Sequence, residues 1–172
     1  STLQSALSIN PDDAESLILL SQIEFNTGNM DDGVAALRKA IESSPENAQL
    51  HKHLAKAYTR TGQTELAHNE ITIYEKLSNN TEEAQKLSIN TYLHAGQIDK
   101  ALDIANQILA NDPENPNTLA LVGGLFAQSG NHQQARSYFN KAINIDAGHT
   151  AATAGLAHVE SKSGDVVKAI SL

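Results

Sequence analysis

The histidines are the side chains of this sequence best suited to binding a metal or moving a proton near neutral pH. They are His51, His53, His68, His94, His132, His149 and His158. No two of them are three or four residues apart, which is the spacing that places two ligands on one face of a helix. We therefore predict no metal site and expect the histidines to lie on the surface or in a groove.

The carboxylates occur in adjacent pairs, which could indicate general acid and base catalysis. The pairs are Asp12 with Asp13, Asp31 with Asp32, and Glu82 with Glu83. Each pair lies at the start of a predicted helix, where a carboxylate accepts hydrogen bonds from free backbone N–H groups and opposes the helix dipole. Asp12 and Asp13 are expected to cap one helix, and Asp31 or Asp32 the next. No local nucleophile and base accompany them, so we predict neither an enzyme nor a cofactor.

Composition narrows the class of protein further. The chain has 172 residues, of which 40% are hydrophobic and 19% charged, which is enough to bury a core. Its net charge of -8 disfavours nucleic-acid binding, which needs a basic surface, and the absence of Trp disfavours base stacking. With no Cys there are no disulfides or thiolate zinc sites. No apolar run in this sequence is long enough to span a membrane.

Small residues recur along the chain with a period of 34 residues. The glycines at this period are Gly28, Gly62, Gly96, Gly130 and Gly164. A second series in step with them consists of Gly33, Ala67, Ala101, Ala135 and Ala169. A single compact domain would also fit the length, but a fixed period of this size indicates a stack of helical repeats.

One repeat shows what the period means physically. Residues 14–27 carry apolar side chains at helical spacing, and Gly28 can end that helix in the left-handed conformation. Val34, Leu37 and Ile41 form the apolar stripe of a second helix, which must end before Pro45. A small residue at position 33 allows the two helices to approach closely. Because one such pair cannot bury its apolar face alone, successive pairs must stack.

These features resemble the tetratricopeptide repeat family. The unit from Pro116 to His149 matches best. Its matching residues are Leu119, Val122, Gly123, Phe126, Gly130, Ala135, Phe139, Ala142 and Ile143. The resemblance implies an all-α fold, a right-handed α-solenoid of stacked antiparallel helix pairs. Tyr74, Glu75 and Asn79 depart from the family pattern, so we expect a weaker junction after the second repeat.

The register of the repeats sets the expected boundaries. Residues 1–13 would be the second-helix remnant of a preceding repeat, followed by repeats at 14–47, 48–81, 82–115 and 116–149 and a truncated fifth repeat at 150–172. Leu3, Leu7, Val166, Val167 and Ile170 would leave both ends apolar. We therefore expect a fragment of a longer protein, the alternative being that the half-units are natural caps.

The resemblance also implies a binding surface, because the first helices of successive repeats line the concave face in this family. Carried over by register, the candidate groove residues are Lys52, His53, Lys56, Arg60, Lys86, Asn90, Leu93, His94, Ala120, Gly124, Ala127, His158 and Lys162. Basic residues outnumber acidic ones on this predicted face, although the whole chain is acidic. The expected partner is therefore a peptide or helix with acidic groups.

The predicted function is a scaffold for protein–protein interaction. Three alternatives remain open: a solvated helix face with no ligand, a structural module that associates with itself through its ends, and an accessory module beside an enzyme. Residues 125–130 and 154–165 are similar in style to long bacterial arrays, such as lipoproteins of exopolysaccharide export and exosortase-linked sorting. The cytoplasm and the bacterial periplasm or cell envelope are both expected settings.

Overall fold

The structure, a computed structural model, describes residues 2–162, with side chains from residue 5 onward. In this part of the chain all regular structure is α-helical. The chain divides into two compact units, Ser1–Gly96 and Gln97–Leu172. Among the described residues, no helix combines the length and the hydrophobicity that crossing a membrane requires.

The first unit contains six helices. They are α1 (Thr2–Ile9), α2 (Ala14–Thr27), α3 (Met30–Ser43), α4 (Ala48–Arg60), α5 (Thr64–Ser78) and α6 (Thr81–His94). The helices α2 and α3 pack as one pair and α4 and α5 as the next, while α4 lies beside both α2 and α6. We call the surface formed by α2, α4 and α6 the first-helix face.

The second unit contains four described helices. They are α7 (Ile98–Asn111), α8 (Pro116–Gln128), α9 (His132–Ile145) and α10 (Thr150–Lys162). The helices α8 and α9 form a pair, and α10 packs against both. The predictions about Gly164, Ala169 and the apolar residues after them concern residues outside the described part.

Glycine ends the first helix of each described pair, as the period predicts. Gly28, Gly62, Gly96 and Gly130 have φ values of 89°, 74°, 69° and 82°. Asn79, at φ 52°, is the only other described residue with a positive φ, and it ends α5. Because Pro is locked at negative φ, this left-handed position explains why Asn replaces Pro there.

Capping follows the prediction at one acidic pair and contradicts it at another. The Asp13 carboxylate accepts a hydrogen bond from the Ser16 backbone N–H at 2.9 Å. Asp12 instead forms an ion pair with Lys39, 3.3 Å away on α3. The expected cap at Asp31 or Asp32 is wrong, because α3 begins at Met30 and both residues lie inside its first turn.

The small residues bring the paired helices together. Ala67, Ala101 and Ala135 are fully buried. A Cβ atom added to Gly33 would lie 2.7 Å from the Phe25 ring, so only glycine fits beneath that ring. The prediction that a small side chain lets the two helices approach is confirmed at Gly33, Ala67 and Ala135.

Two histidines are part of the core rather than of the surface. His51 is 5% exposed; its Nε2 donates to the Pro45 carbonyl at 2.9 Å and its Nδ1 contacts a Glu70 carboxylate oxygen at 2.6 Å. His149 caps α10, since its Nδ1 accepts from the Ala152 N–H at 3.1 Å. The expected surface role is therefore wrong for both, because partners distant in sequence decide their burial.

Candidate functional site

A cleft opens on the first-helix face between α4 and α6. Its volume is about 420 Å³. The residues that line it are Lys56, Thr59, Arg60, Leu87, Asn90 and His94. Four of them, Lys56, Arg60, Asn90 and His94, are candidate groove residues predicted from the sequence. The structure thus brings together in one cleft residues that lie more than 30 positions apart in the sequence.

The floor and walls of this cleft are held by packing between neighbouring pairs. Leu87 is 8% exposed and belongs to a core cluster with Ile71 and Tyr74. The Thr59 hydroxyl lies 2.8 Å from the Thr91 hydroxyl, and this contact joins α4 to α6 beside the cleft. The floor is therefore apolar and the two walls are fixed relative to each other.

The basic residues of the first-helix face are not equivalent. Lys52 forms an ion pair with Glu83 at 3.3 Å and lies over the Tyr74 ring. Lys86 forms an ion pair with Glu82, one helical turn before it. Both cations are therefore compensated within the protein and contribute little net charge to the cleft.

Lys56 and Arg60 supply the positive charge of the cleft. Lys56 is exposed and has no ion pair among the described residues. The Arg60 guanidinium lies 5.1 Å from the centre of the Phe25 ring, which orients it without cancelling its charge. His94 is exposed at the end of α6 and completes the rim. The uncompensated charge is concentrated toward the C-terminal end of α4.

His53 does not add to that charge. Burial lowers the pKa of His53, and the nearby cations of Lys56 and Lys52 lower it further. The ring is therefore neutral at neutral pH. The same lysines that make the face basic oppose a further cation at His53.

The remaining candidates lie elsewhere. Leu93 is half-buried on α6. In the second unit, Gly124, His158 and Lys162 are exposed and Ala127 is half-buried. Ala120 does not offer a surface to a ligand, because it is buried in a cluster with Ala135 and Phe139. Its register predicted exposure, but the small side chain is covered by its neighbours.

The described residues contain no group of three or more acidic or histidine side chains placed to hold a metal ion. What the α4–α6 cleft offers is an apolar floor, two cations and three other polar side chains on an open surface. Such a surface is suited to holding an extended segment of another chain.

Comparisons with known proteins define the family. Profiles described as tetratricopeptide repeat match residues 14–47 and 88–151. The chain belongs to the tetratricopeptide repeat family, and its fold is an all-α solenoid of repeated helix pairs. The coarse function that follows is that of a scaffold for protein interaction. No curated protein matches the sequence.

Solved structures with the same fold come from several bacterial proteins. MamA from Desulfovibrio magneticus is 16% identical, with a TM-score of 0.63 over 92% of this chain and 89% of its own. YrrB, described as a tetratricopeptide repeat protein with an unusual peptide-binding site, is 16% identical, with a TM-score of 0.60 over 99% and 88%. A tetratricopeptide repeat protein from Parabacteroides merdae is 23% identical, with a TM-score of 0.66 over 92% and 64%. At these identities the likeness concerns the fold.

Proposed function

We propose that the protein binds an extended peptide segment in the α4–α6 cleft. The observation that carries this proposal is the gathering of six residues from two helices around one open cleft, with Leu87 as its floor. The family implies that first helices face partners, and YrrB, which has the same fold, is described as binding a peptide. Both support a peptide as the occupant.

The charge of the cleft favours a segment with acidic groups. Lys56 has no internal ion pair, whereas Lys52 and Lys86 are each paired with a glutamate. A carboxylate of the partner would therefore meet Lys56 and Arg60, and an apolar side chain beside it would cover Leu87. The contacts are exposed, so each contributes about 1 kcal/mol or less and weakens with salt.

This refines the prediction made from the sequence. The sequence alone gives Lys52, Lys56, Arg60 and Lys86 equal standing as candidate groove residues. The ion pairs of Lys52 and Lys86 favour Lys56 and Arg60, nearer the C-terminal end of α4, as the residues that meet the partner. Replacing Lys52 would chiefly free Glu83, whereas replacing Lys56 would remove an available cation.

The test starts with peptides selected from a random phage-displayed library against the whole chain. The selected peptides are expected to be enriched in Asp and Glu next to an apolar residue. Lys56→Glu is expected to weaken their binding by about tenfold or more at low salt, since it removes an attraction and adds a repulsion. The affinity is measured by isothermal titration calorimetry.

Lys76→Glu is the matched control. Lys76 is also exposed and belongs to the same unit, but it lies on α5 and does not line the cleft. It should leave the affinity unchanged. If both variants lose affinity equally, the effect comes from the overall charge of the protein. That result would contradict a binding site at the cleft. The alternative of self-association is tested by size-exclusion chromatography with light scattering. If that alternative holds, the molar mass of the protein should rise with its concentration in the absence of peptide.

A further inference from the structure

A second cleft of the first unit lies between α1 and α3, over α2. Its volume is about 460 Å³. The apolar part of its lining consists of Leu7, Leu17, Leu20 and Ala36, and the carboxylates of Glu24 and Asp32 also line it. We call it the outer cleft. It is formed largely by the second helices and is separate from the α4–α6 cleft.

The same place in the second unit is filled by two aromatic rings. Three repeats later, Phe126 and Tyr138 stand where the outer cleft has Glu24 and Ala36. Their rings stack with centroids 5.5 Å apart and an interplanar angle of 15°. The Lys141 ammonium group lies 5.2 Å from the centre of the Tyr138 ring. The second unit thus shows what this slot holds when it is occupied.

The sequence makes the first repeat an exception at this slot. At the position of Ala36 the later repeats have Glu70, Ile104, Tyr138 and Leu172, all much larger side chains. In the repeat that holds Phe126 and Tyr138 the lining is also apolar, since Leu109, Leu119 and Val122 match Leu7, Leu17 and Leu20. The outer cleft therefore keeps an apolar lining while the side chains that would fill it are absent.

The two ends of the outer cleft differ in charge. At one end, Lys39 donates to the Pro11 carbonyl at 2.8 Å and pairs with Asp12, so its charge is compensated. At the other end, neither Glu24 nor Asp32 has an ion pair among the described residues. Glu24 accepts only a hydrogen bond from the Asn29 amide, at 2.7 Å.

The repeat also shows that a carboxylate at this position attracts a cation. Glu160 occupies the position of Glu24 in the last repeat, and the Arg136 guanidinium donates to both of its oxygens, at 2.6 and 3.0 Å. A carboxylate here is therefore placed to pair with a cation.

A neighbouring first helix does not fill this slot. The equivalent cleft one repeat later has a volume of about 350 Å³ and is lined by residues of α3, α4 and α5, such as Ile41, Tyr58 and Glu70. The preceding first helix, α2, contributes nothing to that lining. By the same register, the first helix of a preceding repeat would not line the outer cleft.

We propose that the outer cleft is a second docking site, for a partner segment that carries an aromatic side chain next to a lysine or arginine. The ring occupies the space that Phe126 and Tyr138 fill in the second unit, against Leu17, Leu20 and Ala36. The cation pairs with Glu24 and Asp32. The site is independent of the peptide site on the first-helix face and has the opposite charge preference.

The probe is the capped tripeptide acetyl-Lys-Tyr-Lys-amide, titrated into the whole ¹⁵N-labelled chain and followed by NMR. We expect saturable shifts at the backbone amides of Leu20, Glu24, Ala35 and Ala36. Acetyl-Lys-Ala-Lys-amide, which has the same charge and no ring, should leave these amides unshifted. Asp32→Asn should weaken binding of the first peptide about two- to fivefold, as expected for an exposed ion pair.

Two variants complete the test. Asp31→Asn is the matched control, because Asp31 lies in the same turn of α3 and does not line the cleft; it should leave the affinity unchanged. Ala36→Tyr copies the second unit and should abolish the shifts while the protein keeps or gains thermal stability. Absence of saturable shifts at millimolar peptide, equal shifts with the alanine peptide, or equal effects of the two aspartate variants would each overturn the proposal.

Discussion

The two units pack the same three positions of the repeat in different ways. In the first unit these positions are Ala55, Ile71 and Leu87, which lie in one core cluster. In the second unit they are Gly123, Phe139 and Gly155. A Cβ atom added to Gly123 would lie 2.9 Å from the Phe139 ring, and one added to Gly155 would overlap it.

The difference teaches where a binding cleft can form. In the second unit the bulk is on the second helix, as Phe139, and the first helices contribute only glycine. In the first unit part of the bulk is on the first helix, as Leu87, whose side chain forms the floor of the α4–α6 cleft. Moving volume from one helix to another thus changes the surface while the core stays filled.

The largest effect that would test this comparison is expected from Phe139→Ala. Two flanking glycines cannot fill the space that the ring leaves, so we expect a loss of about 3–5 kcal/mol in the free energy of unfolding. Ile71→Ala should cost less, because Ala55 and Leu87 retain their side chains. Urea denaturation followed by circular dichroism measures both; a smaller loss for Phe139→Ala would contradict the comparison.

The control for that prediction transplants the first unit's residues. Gly155→Leu alone should destabilise by about 1–3 kcal/mol, because the new side chain meets the Phe139 ring. Combined with Phe139→Ile and Gly123→Ala, it should recover to within about 1.5 kcal/mol of the original. Strict additivity of the three changes would show that these positions do not share one volume.

A smaller loss of stability is expected at Gly130, where the backbone conformation alone determines which residue fits. A Cβ atom added to Gly130 would meet nothing within 4 Å, but φ there is 82°. Gly130→Val should therefore cost about 1–2 kcal/mol through backbone strain without any clash. Gln134→Ala, an exposed change in the following helix, is the control, and equal melting temperatures for the two would refute the left-handed cap.

Adjacent glycines of α8 should respond with opposite signs. Gly124 lies in open space, so Gly124→Ala should stabilise the protein by about 0.5–1 kcal/mol by lowering the entropy of the unfolded chain. Gly123→Ala should destabilise it, because the methyl group meets Phe139. Thermal denaturation of the pair is the measurement, and stabilisation by both would mean that the ring moves aside freely.

The smallest expected effect is on a titration. Because Lys56 lowers the pKa of His53, Lys56→Gln should raise that pKa, as followed by NMR of the imidazole. A lowered pKa in the folded state means that stability falls as the pH drops through about 6.5, where the unfolded chain gains the proton. The variant should lose part of that dependence, whereas Lys76→Gln should keep it. An unchanged His53 pKa would contradict Lys56 as a cause of its lowering.

Local rules predicted the helices and their ends, but not which side chains remain available. The period of 34 residues predicts Gly28 and Gly130 as left-handed caps, because that preference is a property of the residue itself. The cap expected at Asp31 or Asp32 is two or three residues too late, because α3 begins at Met30 with Asn29 as its N-cap residue. Lys52 and Lys86 look alike in the register, and only the glutamates beside them distinguish them from Lys56.

The outer cleft has a signal in the sequence that the repeat comparison could have found. Among the residues aligned with Ala36, the alanine is the only small one. A comparison that looks only for residues matching the family pattern misses this position, because alanine is acceptable in a helix. Burial of His51 and Ala120, by contrast, depends on contacts with other helices and has no comparable local signal.

The most direct test of the central claim blocks the α4–α6 cleft without changing its charge. Asn90 is exposed on the cleft wall, and Asn90→Trp would place a large ring over Leu87. Asn69→Trp, at an exposed position of α5, makes the same change away from the cleft. With the fold intact by circular dichroism, we predict that Asn90→Trp abolishes binding of the selected peptides and that Asn69→Trp leaves it intact. Undiminished affinity of Asn90→Trp would contradict the assignment of the cleft as the peptide site.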